Sequence, residues 1–278
     1  MNPPNPQNPV VYLVLLEFGQ QHETAALDLL IPTLERVIPG GTIRGTIVDN
    51  ALTARTETAV SSRLHRLNGD NAVREFSGWD RGLAWIERRH APAAESFVVL
   101  ANDTVVRPEK HDRVRDVPRD RVDAASRGAL VGYVEAYPRP VTIFGLTLRQ
   151  WADTSFVLAS WRTLEQLRPL ARPMADDQIF AGDWRAVFRE PSPLSENYRV
   201  YLKTWLFGEH ADAEFPHTWH ACAPLTESNV ESFKGKLRSL FCEHLLSARA
   251  RPRGPHRSII ATEFAISVYC PDYGTVSH

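Results

Sequence analysis

Phe97-Val-Val-Leu-Ala101 runs straight into Asn102-Asp103-Thr104, and that junction decides how the chain is read. A short continuous apolar run bounded by turn formers makes a strand buried on both faces, and such strands belong to parallel sheets covered by helices. The same design occurs twice upstream. Val10-Val-Tyr-Leu-Val-Leu-Leu16 is one further apolar run, and Thr42 to Val48 is another, ending in Asp49-Asn50. Between these two, Ala26, Leu29, Leu30, Leu34 and Val37 recur at helical spacing until Pro39-Gly40-Gly41 stops them. Ser77-Gly-Trp-Asp80 reads as a capping box opening a helix that carries Leu83 and Ile86. Strand and helix alternate in this way up to Ala101, the signature of a mostly parallel α/β sheet.

Working outward, the stretch from Arg107 to Arg127 is dense in Arg and Asp and predicts a surface loop or poorly ordered segment. Strand-like pieces resume at Leu130–Val134, Val141–Leu148 and Thr154–Ala159. The remainder reads as mainly helical. Tyr198, Tyr201, Leu202, Trp205 and Leu206 share one helical face, and Val230, Phe233, Leu237, Leu240, Phe241 and Leu245 share another. A last strand is expected from Ser258 to Val268. The chain thus divides into a disordered Asn/Pro-rich tail (1–9), an α/β half (10–160) and a mainly helical region (161–278) packed on the same sheet.

Composition narrows the function classes. In 278 residues, 32 Lys and Arg stand against 33 Asp and Glu, a formal net charge of −1. No global basic field exists to hold nucleic acid. The 3 cysteines are odd in number, which argues against a disulfide scaffold and for a reducing compartment. Met1 to Pro9 lacks the basic start of a signal peptide, and no apolar run nears the ~20 residues of a membrane span. A soluble, cytoplasmic protein is expected.

Ligands in open α/β sheets bind at the carboxyl ends of the strands. Asp49-Asn50 and Asn102-Asp103 both follow strands. There an Asp can accept bonds from a ribose or base, or hold a hard cation against a diphosphate. The same residues also simply begin turns.

Taken in order, Ile47-Val-Asp-Asn50, Glu75-Phe-Ser-Gly-Trp-Asp-Arg-Gly82 and Phe97-Val-Val-Leu-Ala-Asn-Asp-Thr104 resemble the nucleotide-sugar half of GT-A-fold glycosyltransferases. The likeness is to those of bacterial surface polysaccharide assembly, of the rhamnan-synthesis type. Trp151-Ala-Asp-Thr-Ser-Phe-Val-Leu158 resembles that family's strand lining the sugar and acceptor pocket. The resemblance implies a Rossmann-type sheet with a mainly helical acceptor region. It also implies a nucleotide-sugar donor and a glycan or lipid-linked glycan acceptor. The donor residues it implies are Asp49, Asn50, Asp80, Asn102 and Asp103, with Asp103 holding Mg²⁺ or Mn²⁺. The family's Asp-x-Asp is here Asn102-Asp103-Thr104, which leaves one carboxylate.

An inverting transferase also needs a base for the acceptor hydroxyl. The resemblance offers Glu243, in Glu243-His-Leu-Leu-Ser-Ala-Arg249, and Glu196 is the second candidate, in what reads as the first turn of a helix. Asp176-Asp177 comes third. A Glu on an amphipathic helix is otherwise a solvated residue. His217, His220 and Cys222 lie close enough together for zinc but lack a fourth ligand. The basic segment 234–257 could clamp a diphosphate, touch anionic lipid at the inner face of the membrane, or be a solvated face. Two rival readings remain. One is a nucleotidyltransferase, disfavoured because Glu17-Phe-Gly-Gln-Gln21 lacks a basic, Gly-rich loop. The other is a degenerate module that binds a sugar nucleotide without turning it over.

Overall fold

The computed structural model describes residues 8–209 and 218–250, which form an α/β unit built on a 7-stranded mixed sheet. In chain order the elements are β1 (Val10–Glu17), α1 (Glu23–Val37), β2 (Thr42–Asp49), β3 (Glu57–Ala59), β4 (Leu64–Asn68), α2 (Glu75–His90) and β5 (Phe97–Asn102). Then follow α3 (Pro108–Arg115), α4 (Asp120–Ser126), β6 (Val131–Ile143), β7 (Leu146–Ser160), α5 (Trp161–Leu167), α6 (Asp176–Ile179), α7 (Glu196–Phe207) and α8 (Val230–Ala250). The spatial order is β3-β4-β2-β1-β5-β7-β6. Strands β4, β2, β1 and β5 run parallel, while β3, β7 and β6 join their neighbours antiparallel.

The three apolar runs become the three central strands because each is packed on both faces. Val11, Leu13 and Leu15 meet Ala26, Leu30 and Leu34 of α1 on one side. Tyr12, Val14 and Leu16 meet Phe76, Trp79 and Leu83 of α2 on the other. A third cluster lies beyond β5, where the outer halves of β6 and β7 project past the parallel strands. There Tyr137, Val141, Ile143 and Leu148 pack on Tyr198, Leu202 and Leu206 of α7 and on Phe241 of α8. The helical region after residue 160 shares the sheet's core, since Trp161, Leu164, Cys242 and Leu246 belong to the α2 cluster.

Several sequence expectations need correction. Residues 107–127 contain α3 and α4, short helices that place Val114, Val122, Ala124 and Ala125 against the α1 side of the sheet. Val141–Leu148 is no strand of its own but the tip of the β6–β7 hairpin, turning at Phe144-Gly145. Strands β3 and β4 were not anticipated. Helix α2 starts at Glu75 rather than at a Ser77 cap. The Ser77 hydroxyl instead donates to the Arg74 carbonyl (3.3 Å) and accepts from the Val73 N–H (3.1 Å). Most of the expected N-terminal tail, His217 and the expected strand Ser258–Val268 lie outside the described residues. No helix among the described residues is long and apolar enough to cross a membrane.

Helix α2 lies unusually close to the sheet because Gly78 and Gly82 face it, one turn apart. A Cβ on Gly82 would come within 2.4 Å of Val14 Cγ1 and 2.9 Å of Thr46 Oγ1, both on stiff β-branched side chains. Gly235 of α8 has nothing within 4 Å of such an atom. Gly82→Ala should therefore lose about 1–3 kcal/mol to overpacking, less the helix-propensity gain, and lower the urea midpoint. Gly235→Ala should raise the midpoint, by up to ~1 kcal/mol of stability.

Candidate functional site

The strand register brings the acidic dipeptides to one edge. Glu17 ends β1 opposite Asp49 of β2, and Leu16 lies opposite Asn102 of β5, so Asp103 follows at the level of Glu17. Three adjacent strands thus end in Asp49, Glu17 and Asp103, at ~4.8 Å per strand. Much of this carboxylate capacity serves the backbone. Asp49 Oδ1 accepts from the N–H groups of Gly19 (2.9 Å) and Ala51 (2.8 Å), and Asp103 Oδ2 accepts from Phe18 N–H (3.3 Å). The two aspartates therefore hold the segment leaving β1 across the strand ends. Phe18 sits on that segment with 60% of its surface exposed, an unusual position for a phenyl ring.

The other residues expected at the donor edge are more fully committed. Asn102 Oδ1 caps the next turn by accepting from Thr104 N–H (3.1 Å) and the Thr104 hydroxyl, while its Nδ2 donates to the Thr154 carbonyl (3.1 Å). Asn50 Nδ2 donates to Asn71 Oδ1 (3.3 Å) and the Arg74 carbonyl (3.1 Å), and its own Oδ1 is buried without a partner. Asp80 accepts from the N–H groups of Leu170 (3.0 Å) and Ala171 (2.9 Å), tying α2 to the segment after α5. Asp80 acts as a tie between elements, and its carboxylate is not turned to the strand ends.

Glu17 is the residue that sequence reasoning missed. It is fully buried, and neither carboxylate oxygen has a hydrogen-bond partner. Burial, followed by Glu23 and Asp49 nearby, pushes its pKa up to about 8, against the opposing pull of Arg66 at 3.6 Å. The available signal was an acid closing an uninterrupted apolar run. Phe18 had no signal, because its exposure depends on how the chain leaves the sheet.

Glu243 owes its place to an irregularity in the hairpin. Gly132 pairs with Val157, but Val134 pairs with Ala152, so β7 carries extra residues between the two pairs. Such a bulge leaves backbone donors without ladder partners. Helix α8 supplies acceptors from positions four apart, one inside the slip and one at its edge. Glu243 Oε1 accepts from Thr154 N–H (3.0 Å) and the Thr154 hydroxyl (2.9 Å), and Ser247 Oγ accepts from Ala152 N–H (2.9 Å). Desolvation first, then the Asp153 charge, push the Glu243 pKa up to about 8. Asp153 itself is held low because Lys110 Nζ lies at 2.9 Å and offsets its burial.

This part of the molecule forms one electrostatic neighbourhood. Glu75, at the start of α2, accepts from the Ser239 hydroxyl of α8 (3.1 Å) and raises the proton affinity of both Glu243 and Asp103. Burial is the larger cause at Asp103, whose pKa is raised although His22 and Arg107 oppose the shift. Arg107 and Lys236 also act on His220, lowering its pKa after burial. Arg107 thus opposes the shift at Asp103, and Lys236 opposes it at Glu243.

The remaining candidates lie elsewhere. Glu196 opens α7 and is exposed beside the hairpin tip. Asp176 is bound by Arg238 in a bidentate pair and, with Asp177 and Lys234, lines an open cavity of about 580 Å³ that Asp49, Asp103 and Glu243 do not line. His220 and Cys222 have no third ligand, since no group of three His, Cys, Asp or Glu able to hold a metal occurs among the described residues. In the expected basic segment, Lys234 pairs with Glu231, Arg238 pairs with Asp176, and Arg249 donates to the Leu245 and Pro169 carbonyls. Lys236 lies over the rings of Trp205 (5.6 Å) and Trp219 (5.9 Å), and Arg251, Arg253 and Arg257 lie outside the described residues. At Asp103, a single carboxylate with one oxygen already accepting from Phe18 fits a cation of the Mg²⁺ type. Such ions are commonly held by one or two carboxylates together with substrate phosphates. Compared with protein-family models, curated proteins and solved structures, the chain shows no match.

The raised Glu17 pKa has a thermodynamic sign. An unfolded Glu ionises near pH 4.5, whereas the folded one keeps its proton to about pH 8. Between those values the native state binds more protons, so stability falls as pH rises. Glu17→Gln should flatten that slope and, at pH 8, stabilise the protein by about 1–3 kcal/mol in urea melts. A variant as pH-sensitive as the parent would exclude Glu17 as the source.

Proposed function

We propose that this chain is a GT-A-type glycosyltransferase that moves a sugar from a nucleotide donor to a hydroxyl of a glycan or lipid-linked glycan, with inversion. The observation that carries the reading is Glu243. It is a carboxylate of raised proton affinity, one oxygen fixed by Thr154, which shares Glu75 as an electrostatic neighbour with Asp103 at the strand ends. The reaction requires a base close to the donor edge, and the shared neighbour supports that reading. The strand order, with three acid-bearing strand ends side by side, supports the same assignment.

In this reading the donor's base stacks on Phe18, and its diphosphate lies over Asp103. Glu243 takes the acceptor hydroxyl proton as that oxygen bonds to the anomeric carbon and the carbon–oxygen bond to the diphosphate breaks. Arg107 and Lys236 meet the charge that develops on the departing diphosphate. A divalent cation held by Asp103, when bound, adds positive charge at the same place. A lipid-linked acceptor would bring the enzyme to the inner membrane face. Because Lys234 and Arg238 are spent on ion pairs, little of that contact would come from the described part of the basic segment. The full engagement of Asn102 favours one alternative, a module that binds the donor without transfer.

A thermal-shift screen of nucleoside diphosphates and nucleotide sugars, with and without Mn²⁺, tests donor binding, because a ligand of the native state raises its melting temperature. Phe18→Ala should weaken the effective nucleotide by about 5–100-fold, the usual worth of a stacked base. Glu243→Gln keeps an acceptor for Thr154 and should lower kcat by ~10²–10⁴-fold with donor affinity nearly unchanged. For the parent, kcat/KM should climb with pH and level off above about 8, where Glu243 is ionised. Glu196→Gln should leave the rate intact. Donor binding without turnover in the parent would establish the non-catalytic module instead.

A further inference from the structure

The opposite end of the sheet carries a feature of opposite charge. Helix α2 runs back across the parallel strands, so its last residues arrive where β2 and β4 begin. Arg89 and His90 from α2, Thr42 and Arg44 from β2, and Arg63 and His65 from the start of β4 line a cavity of about 360 Å³, together with Ser62. Its lining holds guanidinium, imidazole and hydroxyl groups and no carboxylate.

These cations are unspent. Arg66, Arg115, Arg168, Arg199 and Arg238 each face a carboxylate, whereas Arg44, Arg63 and Arg89 have no ion pair among the described residues. Arg44 and Arg63 are exposed, so their forks are free to turn inward, and the exposed Arg89 lies over the Trp85 ring at the cavity wall (5.9 Å). The two imidazoles are fixed from beneath. His65 packs on Trp85 (4.9 Å between ring centroids), and His90 packs between Trp85 and Tyr12 (5.6 Å each). Burial first, then the positive charges of Arg44 and Arg89, hold the His90 pKa down. Basic residues at the end of α2 would complement the helix dipole on their own. Arg44, Arg63 and His65 belong to other elements and serve no such purpose.

We propose that this cavity is a binding site for a phosphate monoester or diphosphate, separate from the Asp49–Asp103 edge and independent of the transferase reading. Arginine forks match phosphate oxygens in pairs, and Ser62 and Thr42 add neutral donors beside them. The volume suits a phosphorylated small molecule or a single lipid head group. Both sources present the same group, a phosphate carrying about two charges.

The test is calorimetric titration of the whole chain with inorganic pyrophosphate at low salt, alongside sedimentation with phosphatidylcholine vesicles with and without phosphatidic acid. Arg44→Ser combined with Arg63→Ser removes two exposed, unpaired side chains and should leave the melting temperature unchanged. That double variant should bind pyrophosphate at least about tenfold more weakly, and the parent's binding should weaken with added salt. Sedimentation with phosphatidic acid vesicles that the double variant abolishes assigns the phosphate to a lipid head group. Pyrophosphate binding without sedimentation assigns it to a soluble ester. Binding that survives in the double variant but is lost in Arg107→Ser belongs to the other edge and overturns the proposal. So does a parent chain that binds neither probe.

Discussion

Two backbone N–H groups in β7 take their acceptors from α8, that of Thr154 inside the slip between β6 and β7 and that of Ala152 at its edge. An unpaired buried donor costs about 1–3 kcal/mol, so α8 must present Glu243 and Ser247 at the right height or the hairpin loses its irregular middle. That requirement fixes how α8 lies on β7, and with it the positions of Ser239 against Glu75 and His244 against Tyr137 and Tyr198. One carboxylate oxygen accepts from Thr154 within the bulge, and in the proposed reading the carboxylate also takes the acceptor proton. If the transferase reading holds, a structural duty and a reactive one fall on the same side chain, which is why an amide replacement and an alanine replacement at Glu243 are different experiments.

The centre of the fold was legible because buried parallel strands leave little freedom of composition. β1, β2 and β5 are apolar throughout, and the helix periodicity of α1 survives a proline at position 32. The margins were not legible. β3 is exposed along its whole length and β4 carries His65, Arg66 and Asn68, so neither shows the alternation of a half-buried strand. Helices α3 and α4 bury only a few small or branched residues amid Arg and Asp, which reads as loop. In β6, Pro138 and Pro140 fall inside a second register shift, breaking a 13-residue strand into what look like separate pieces.

The site divides along the same line. Asp49 and Asp103 could be placed from the ends of their strands, and their register did bring them to one edge. What the sequence could not reveal is how their oxygens are shared with Gly19, Ala51 and Phe18, because those bonds depend on the path of a loop. Glu17 and Glu243 are hidden for a further reason. Their proton affinity comes from burial by elements distant in the chain, as Glu243 lies 89 residues from the Thr154 it serves. His244 beside it is driven the other way, with its pKa lowered to about 3 by the same desolvation. Through neutral pH the aromatic cluster around it therefore keeps a constant charge.

The two glycines of α2 have a mechanical meaning beyond packing. A helix pressed so near the sheet that Leu16 and Val14 fill the space of a missing methyl has no layer of side chains to slide on. It behaves as a back plate rather than a hinged wall. Glu75 rides on the first turn of that plate and Trp79 is anchored through its indole N–H to the Ala101 carbonyl (3.1 Å), just beneath Asn102 and Asp103. Whatever adjusts around a donor in the proposed reading must therefore come from the hairpin and α8, working against a jaw that does not give.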